Sequence, residues 1–169
     1  MVIPHIRNPK NNSSLNPRFN SQINPRFNSQ INPRFNSQIN PRFNSQINPE
    51  FKASLNPNLN SQINPSFNTS INPSFNPQIN PNFNHYFAGP LLFTLEGDVY
   101  GFAVMLSQIF GYYIFNPNCQ KLYYCIPNGQ GGYNMFNEGS EWIGFWSSNG
   151  QNGYNIFDIE GSWLEYVIM

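Results

Sequence analysis

Residues 128–169 read NGQGGYNMFNEGSEWIGFWSS followed by NGQNGYNIFDIEGSWLEYVIM, which are two consecutive copies of one 21-residue unit. Each copy begins with Asn-Gly, a pair that favours a tight hairpin turn because both residues tolerate a positive φ. Two runs rich in aromatic and aliphatic residues follow in each copy, separated by a second polar turn. The unit therefore predicts two short antiparallel strands per copy.

The same period continues towards the N-terminus. Residues 112–126 contain a third copy of the two runs, and a degenerate copy covers residues 92–102. This part of the chain is therefore predicted to be an antiparallel β-meander of about six to eight short strands. The apolar segment 98–111 is also compatible with a buried helix.

Side chains alternate between the two faces of a strand, which divides the second strand of each unit into two sets. The predicted inner face consists of Leu122, Tyr124, Ile126, Ile143, Phe145, Ser147, Leu164, Tyr166 and Ile168. The opposite face supplies the candidate binding residues Trp142, Trp146, Trp163 and Tyr123. These four are expected to form an aromatic platform for sugars, peptides or Pro-rich segments, or else to pack against another layer of the protein.

The first half of the chain has a different repeat. From Leu15 to Phe83 a Leu, Ile or Phe occupies every fourth position, and Asn follows it everywhere except at Lys52. Asn-Pro recurs every eight residues, which excludes a helix because Pro lacks an N–H and clashes with the preceding turn; it favours turns instead. Residues 15–88 are predicted to be a narrow β-solenoid with Ile, Leu and Phe stacked inside, or a disordered, self-associating stalk.

The predicted organisation is all-β, with an N-terminal lead-in at 1–14, the repeat array at 15–88 and an aromatic β-hairpin domain at 89–169. Charge divides at the same boundary. The first 88 residues carry seven Arg or Lys and one Glu, a net charge of +6, whereas the remainder carries one Lys and seven acidic residues, a net charge of −6. This layout predicts either an anionic partner for the first half or head-to-tail association between copies.

Four of the positive charges recur every eight residues, each directly before a Phe. They are Arg18, Arg26, Arg34 and Arg42. Because guanidinium groups contact phosphates and aromatic rings stack on bases, these four are the candidate residues for binding nucleic acid or another polyanion.

Residues typical of catalysis and metal binding do not occur in useful spacings. His5 and His85 are 80 residues apart in the sequence, and neither has a Cys or a second His at the spacing typical of metal ligands. No nucleophilic residue has an evident base. No catalytic or metal-binding residue is assigned, no cofactor is expected, and the chain is expected not to be an enzyme. Without a signal peptide or a long apolar run, membrane insertion is not expected, and a cytoplasmic location is predicted, with export by another route left open.

The leading functional hypothesis is therefore a structural or interaction protein. Its repeat stalk would present an aromatic β-domain to a protein partner or to further copies of the chain. The first alternative is the polyanion binding described above. The second is binding of ice or a polysaccharide by a regular row of hydroxyl side chains, at Ser21, Ser29, Ser37, Ser45, Ser61 and Thr69.

Overall fold

The hairpins of the second half assemble into one closed sheet. In the computed structural model, which describes residues 5–169, the strands are β1 (Leu91–Thr94), β2 (Val99–Leu106), β3 (Gly111–Phe115), β4 (Lys121–Pro127), β5 (Tyr133–Phe136), β6 (Trp142–Ser148), β7 (Gly153–Asp158) and β8 (Trp163–Ile168). Each strand pairs antiparallel with the next, and β1 also pairs with β8 to form an eight-stranded barrel. The predicted all-β antiparallel meander is confirmed. The helix considered for 98–111 is wrong, because β2 occupies that segment.

The turns that precede β4, β6 and β8 share one geometry. The first residue of each turn accepts the backbone N–H four residues on through Oδ1, and these first residues are Asn116, Asn137 and Asp158. The fourth residue of each turn has a positive φ, and these are Cys119, Ser140 and Gly161. Because the turn is repeated, the first residues of β4, β6 and β8 occupy equivalent positions around the barrel.

Both faces of the barrel wall are covered. The interior is filled by Leu92, Ala103, Tyr112, Ile114, Tyr123, Cys125, Met135, Trp146, Ile156 and Val167. On the outside, Tyr124 and Ile126 form a second cluster together with Leu55 and Ile63 from the first half of the chain.

The predicted inner face is therefore wrong. Tyr124 and Ile126 lie on the outer surface, and Leu122, Ile143 and Leu164 are partly exposed. Alternation separates the two faces of a strand but does not say which face is inside, because the outer face here is also apolar and packed.

The first half forms a continuous series of turns, which we call the turn band (residues 8–87). One-turn 3₁₀ helices occur at His5–Arg7, Ser21–Ile23, Ser45–Ile47, Ala53–Leu55, Ser61–Ile63, Thr69–Ile71 and Pro77–Ile79. Residues 5–90 contain no strand, so the predicted narrow β-solenoid is wrong, and the predicted stalk is not confirmed because the band lies against the barrel. Turns replace strands because nearly every tetrad closes a backbone hydrogen bond within itself, the tetrad that ends at Ile31 being an exception.

From Asn20 to Asn84, the Asn of each tetrad except the one at Lys52 holds the band together through both ends of its side chain. At Asn40, Oδ1 accepts the backbone N–H of Arg42 at 2.9 Å, and Nδ2 donates to the carbonyl of Pro33 at 2.8 Å. The backbone carbonyl of Asn40 also accepts the N–H of Phe43. The same pattern recurs along the band, which explains why Asn is repeated: Ser and Asp accept hydrogen bonds but cannot supply the amide donor.

Successive tetrads turn their apolar residues in opposite directions. The Ile and Leu before Asn-Pro face the barrel, and Leu15, Ile39 and Ile63 are only 1–2% exposed. The intervening Phe residues face solvent. The interior stacking of Phe predicted for the array is therefore wrong, since only every second tetrad can reach the barrel.

The band runs around the barrel in the order opposite to that of the strands. Its successive contacts are Leu15 with Asn155 of β7, Ile39 with Asn134 of β5, Ser66 with Lys121 of β4, and Phe87 with Phe102 of β2. Asn155 and Asn134 each donate Nδ2 to the band carbonyl at 3.0 Å. Twenty-four band residues thus correspond to one 21-residue hairpin, which is two of the eight strands. Three octapeptides therefore cover a quarter of the barrel.

The exception at Lys52 gives a stability prediction. The 3₁₀ helix Ala53–Leu55 begins without a side-chain cap, whereas Asn44 and Asn60 each cap the turn that follows them. We expect Lys52→Asn to raise the free energy of unfolding by about 0.5–1.5 kcal/mol, measured by denaturant unfolding, because Asn restores the cap. Lys52→Gln removes the same charge without the cap and is the control. Equal stabilisation by both substitutions would attribute the gain to charge and contradict the prediction.

Candidate functional site

The four aromatic residues predicted to form a platform lie on both sides of the barrel wall. Trp146 and Tyr123 are in the interior, 0% and 7% exposed. Trp142 and Trp163 begin β6 and β8, and a shift in strand register beside each places them outside, next to the band. The structure therefore does not bring these four residues together on one exposed face.

The four Arg residues of the octapeptide repeats lean towards the barrel. The Arg18 and Arg42 guanidinium groups lie over the rings of Trp163 and Trp142, 5.6 and 5.4 Å from the ring centroids. Arg26 donates to the Ser162 hydroxyl at 3.3 Å, and Arg34 forms an ion pair with Glu160. The four guanidinium groups therefore do not form a continuous solvent-exposed row. Part of the attraction between the basic first half and the acidic second half acts within one chain, as in the Arg34–Glu160 ion pair.

Two clefts open where the band crosses the turns before β6 and β8. The first, of about 240 Å³, is lined by Arg18, Arg26, Asn24, Ser162 and Trp163 and is called the basic cleft. The second, of about 590 Å³, is lined by Arg42, Glu50, Asn48, Glu141 and Trp142 and is called the mixed cleft.

The two clefts occupy equivalent positions. Each residue of the basic cleft has a counterpart 24 residues later in the band or 21 residues earlier in the barrel. In both clefts the indole N–H donates to the backbone carbonyl two residues later in the chain. Trp163 donates to Glu165 at 2.9 Å, and Trp142 donates to Gly144 at 2.8 Å. The charges differ, since Glu50 replaces Arg26 and Glu141 replaces Ser162.

A short hydrogen-bond chain connects the mixed cleft to the barrel wall. The Tyr124 hydroxyl donates to Ser140 Oγ at 2.8 Å, and Ser140 Oγ donates to Asn56 Oδ1 at 3.2 Å. Burial raises the pKa of Tyr124 to about 12, although its hydrogen bond with Ser140 acts in the opposite direction. Tyr124 is therefore a neutral donor at physiological pH, and the chain fixes the turn against the band.

The exposed surface of the band carries a regular row of large apolar side chains. We call it the Phe row; each member is 68–77% exposed, and the members are Phe19, Phe27, Phe35, Phe43, Phe51, Leu59, Phe67, Phe75 and Phe83. They recur every eight residues and follow the band around the barrel. Contiguous apolar patches on a protein surface typically mark interaction sites, and a row of large apolar side chains at a fixed repeat is a candidate for one.

A polar cluster lies within the barrel. Tyr100 donates to the Glu165 carboxylate, and its hydroxyl is 3.4 Å from that of Tyr123. Burial raises the pKa of Glu165, opposed by the hydrogen bond from Tyr100, and burial also raises the pKa values of Tyr100 and Tyr123. These groups satisfy one another's hydrogen bonds, which indicates a structural role.

Three further predictions concern the hydroxyl row, metal binding and membrane insertion. The hydroxyl row from Ser21 to Thr69 is exposed on the band, and its proposed binding of ice or polysaccharide stays a prediction. Among residues 5–169 no group of three or more His, Cys, Asp or Glu is placed to hold a metal ion. In the same range no helix combines the length and apolar character needed to cross a membrane.

Sequence reasoning missed Glu50 and Glu141 as cleft residues and the outward direction of the Phe row. Glu50 occupies the position of Arg42 in the next octapeptide, which the repeat alignment shows as a charge change. Over residues 15–50, the alternation of Ile or Leu before Asn-Pro with Phe before Asn-Ser was a signal that the two sets face opposite sides. No sequence signal pairs an octapeptide with a given hairpin.

Comparisons with protein-family models, with curated proteins and with solved structures found no match to this chain.

Proposed function

We propose that this chain is a non-enzymatic structural or interaction protein that associates with further copies of itself through the Phe row. The observation that supports this proposal is the regular exposure of its nine members, none of which is less than 68% exposed. Covering such a surface is favourable by roughly 25 cal/mol per Å² of apolar area removed from water.

A second copy is the occupant favoured by spacing and charge. Because the row recurs every eight residues, the row of a second copy has the same spacing, so the two rows can be placed in register. The band residues between the rings are mainly Asn, Ser, Gln and Pro, and the Arg side chains lean towards the barrel. Repulsion between like charges is therefore small along the row, and the chain has no net charge.

The row offers area for association through several contacts. A contact that covers three consecutive rings, which span two octapeptides and therefore about a sixth of the barrel circumference, removes about 400 Å² from water on each copy, if each aromatic side chain presents about 200 Å² when fully exposed. This is about half of the roughly 800 Å² per partner that stable interfaces bury, so the band residues beside the rings must supply the remainder. Since the row extends around the barrel, one copy can contact more than one neighbour, and we expect open association instead of a closed dimer.

The test is sedimentation of the full chain over a range of concentrations. We expect the mass of the unmodified protein to rise with concentration and the triple variant Phe27→Ser, Phe35→Ser, Phe43→Ser to sediment closer to the monomer. At a concentration where the unmodified protein is monomeric, the unfolding temperature of the variant should be nearly the same, because exposed side chains contribute little to folding.

The matched control replaces exposed hydroxyls in the same octapeptides, Ser29→Ala, Ser37→Ala and Ser45→Ala, and should still associate. An unmodified protein that remains monomeric at its highest soluble concentration would contradict the proposal. Equal association of the Phe variant would also contradict it.

A further inference from the structure

The basic cleft contains two guanidinium groups with unused donors. Arg18 lies over the Trp163 ring, and within residues 5–169 its guanidinium has no hydrogen-bond partner. Arg26 has one side-chain bond, to the Ser162 hydroxyl. A guanidinium carries five N–H donors in a fixed plane, so most of the donors in this cleft are available to a ligand.

Within the part of the chain that the structure describes, no carboxylate lines the basic cleft. The two acidic residues of the adjoining turn are engaged elsewhere: Asp158 Oδ1 accepts the backbone N–H groups of Glu160 and Ser162, and the Glu160 side chain pairs with Arg34. The positive charge of the cleft is thus not balanced by a lining residue, whereas the mixed cleft contains Glu50 and Glu141 together with its Arg.

We infer that the basic cleft binds a phosphate group, either as the free ion or as a monoester, between Arg18 and Arg26. The planar guanidinium fork matches the oxygen geometry of phosphate, and the Ser162 hydroxyl at the same cleft supplies a further donor. The Trp163 ring limits access of water to one side of Arg18, which strengthens the interaction with an anion. The cleft volume of about 240 Å³ suits a small anionic group.

This site is narrower than the polyanion surface predicted from the four Arg residues. Arg34 is paired with Glu160, and Arg42 lies in the mixed cleft. Only Arg18 and Arg26 meet in one cleft without an acidic neighbour among its lining residues. The site does not depend on the proposed self-association, because the Phe row is on the solvent side of the band.

The indole N–H signals of Trp163 and Trp142 provide an internal comparison by NMR. Inorganic phosphate is titrated into the full-length protein at constant ionic strength. We expect a saturable shift of the Trp163 signal and none of the Trp142 signal. Sodium chloride at matched ionic strength should not reproduce it.

Arg26→Glu introduces the residue found at the equivalent position of the mixed cleft, Glu50. It should weaken phosphate binding by about tenfold or more, because a positively charged donor is replaced by a carboxylate that repels the phosphate. Arg42→Ala removes an Arg from the mixed cleft and should leave the titration unchanged. O-phosphoserine is the second probe. Binding of inorganic phosphate alone assigns the free ion, and equal or tighter binding of phosphoserine assigns a monoester. The absence of a saturable Trp163 shift, or equal shifts at both Trp residues, would overturn the inference.

Discussion

Ile39→Ala is expected to lower the free energy of unfolding by about 2–5 kcal/mol, because it removes buried methyl groups and leaves a cavity between band and barrel. Ile39 is 2% exposed, and its backbone carbonyl accepts the Asn134 amide, which fixes this point of the band. The measurement is equilibrium unfolding in denaturant, with the barrel Trp residues as the fluorescence probe.

Phe43→Ala is the matched control for this prediction. Phe43 is four residues further along the same repeat, is a larger apolar residue, and is 76% exposed. At a protein concentration low enough to keep the chain monomeric, its replacement should change stability by no more than about 0.5 kcal/mol. If Phe43→Ala proved as destabilising as Ile39→Ala, the assignment of alternate tetrads to barrel and solvent would be incorrect.

Asn40→Asp is expected to cost about 1–3 kcal/mol at neutral pH, because the carbonyl of Pro33 loses its donor and a charged group is buried. Asn40 is 4% exposed, and its Nδ2 is 2.8 Å from that carbonyl. The Oδ1 contact with the N–H of Arg42 can be kept by Asp. The loss measured by denaturant unfolding therefore reports the amide donor and the cost of burying the carboxylate.

Asn44→Asp is the control, because the equivalent hydrogen bond to Gln38 is exposed and water can replace the lost donor. The effect of Asn40→Asp should depend on pH with a definite sign. Burial should raise the pKa of the introduced carboxyl in the folded state above its value in the unfolded chain. The Asn40→Asp variant should therefore be most stable in acid, where the carboxyl is protonated, and should lose stability as pH rises above about 4. A deficit that grows as pH falls would contradict this explanation.

The barrel could be predicted in part. The 21-residue unit with its Asn-Gly turns indicated the antiparallel strands, and β1 begins at Leu91, two residues after the predicted boundary. Closure could not be predicted, because it depends on the pairing of β1 with β8, which are far apart in sequence. The prediction of which strand face lies inside the barrel was wrong because the band buries outward-facing residues such as Tyr124 and Ile126. Strand alternation does not reveal this second layer.

Asn-Pro turns were predicted in the repeat array, but as the corners of a narrow β-solenoid or within a disordered stalk, and the packing of the band on the barrel was not predicted. A spacing of four treated Ile and Phe as equivalent, whereas the physical repeat is eight residues, with Ile towards the barrel and Phe towards solvent. The Asn residues were expected to form corners, and their bonds across six or seven residues could not be inferred because they depend on how successive turns stack. Such contacts come from three-dimensional packing.

The candidate site shows the same division. The sequence singled out Trp142, Trp163, Arg18 and Arg42, and the structure pairs each Trp with one of these Arg residues. It could not show that Trp146 is inside the barrel, because the register shift that separates Trp142 from Trp146 is a property of strand pairing. Nor could it show that the two clefts differ in charge, since each cleft combines band and barrel residues.

The central claim, that the turn band is an ordered layer on the barrel, is tested most directly by amide hydrogen exchange on the full-length protein. The structure predicts slow exchange along residues 15–87, where the N–H of the apolar residue in each tetrad bonds to the Asn carbonyl three residues earlier, except that Leu55 bonds to Lys52 and Ile31 has no such bond. The side-chain amides of Asn134 and Asn155, which donate to the band, should also exchange slowly. Random-coil exchange rates throughout residues 15–87, with protection confined to residues 91–168, would contradict the account.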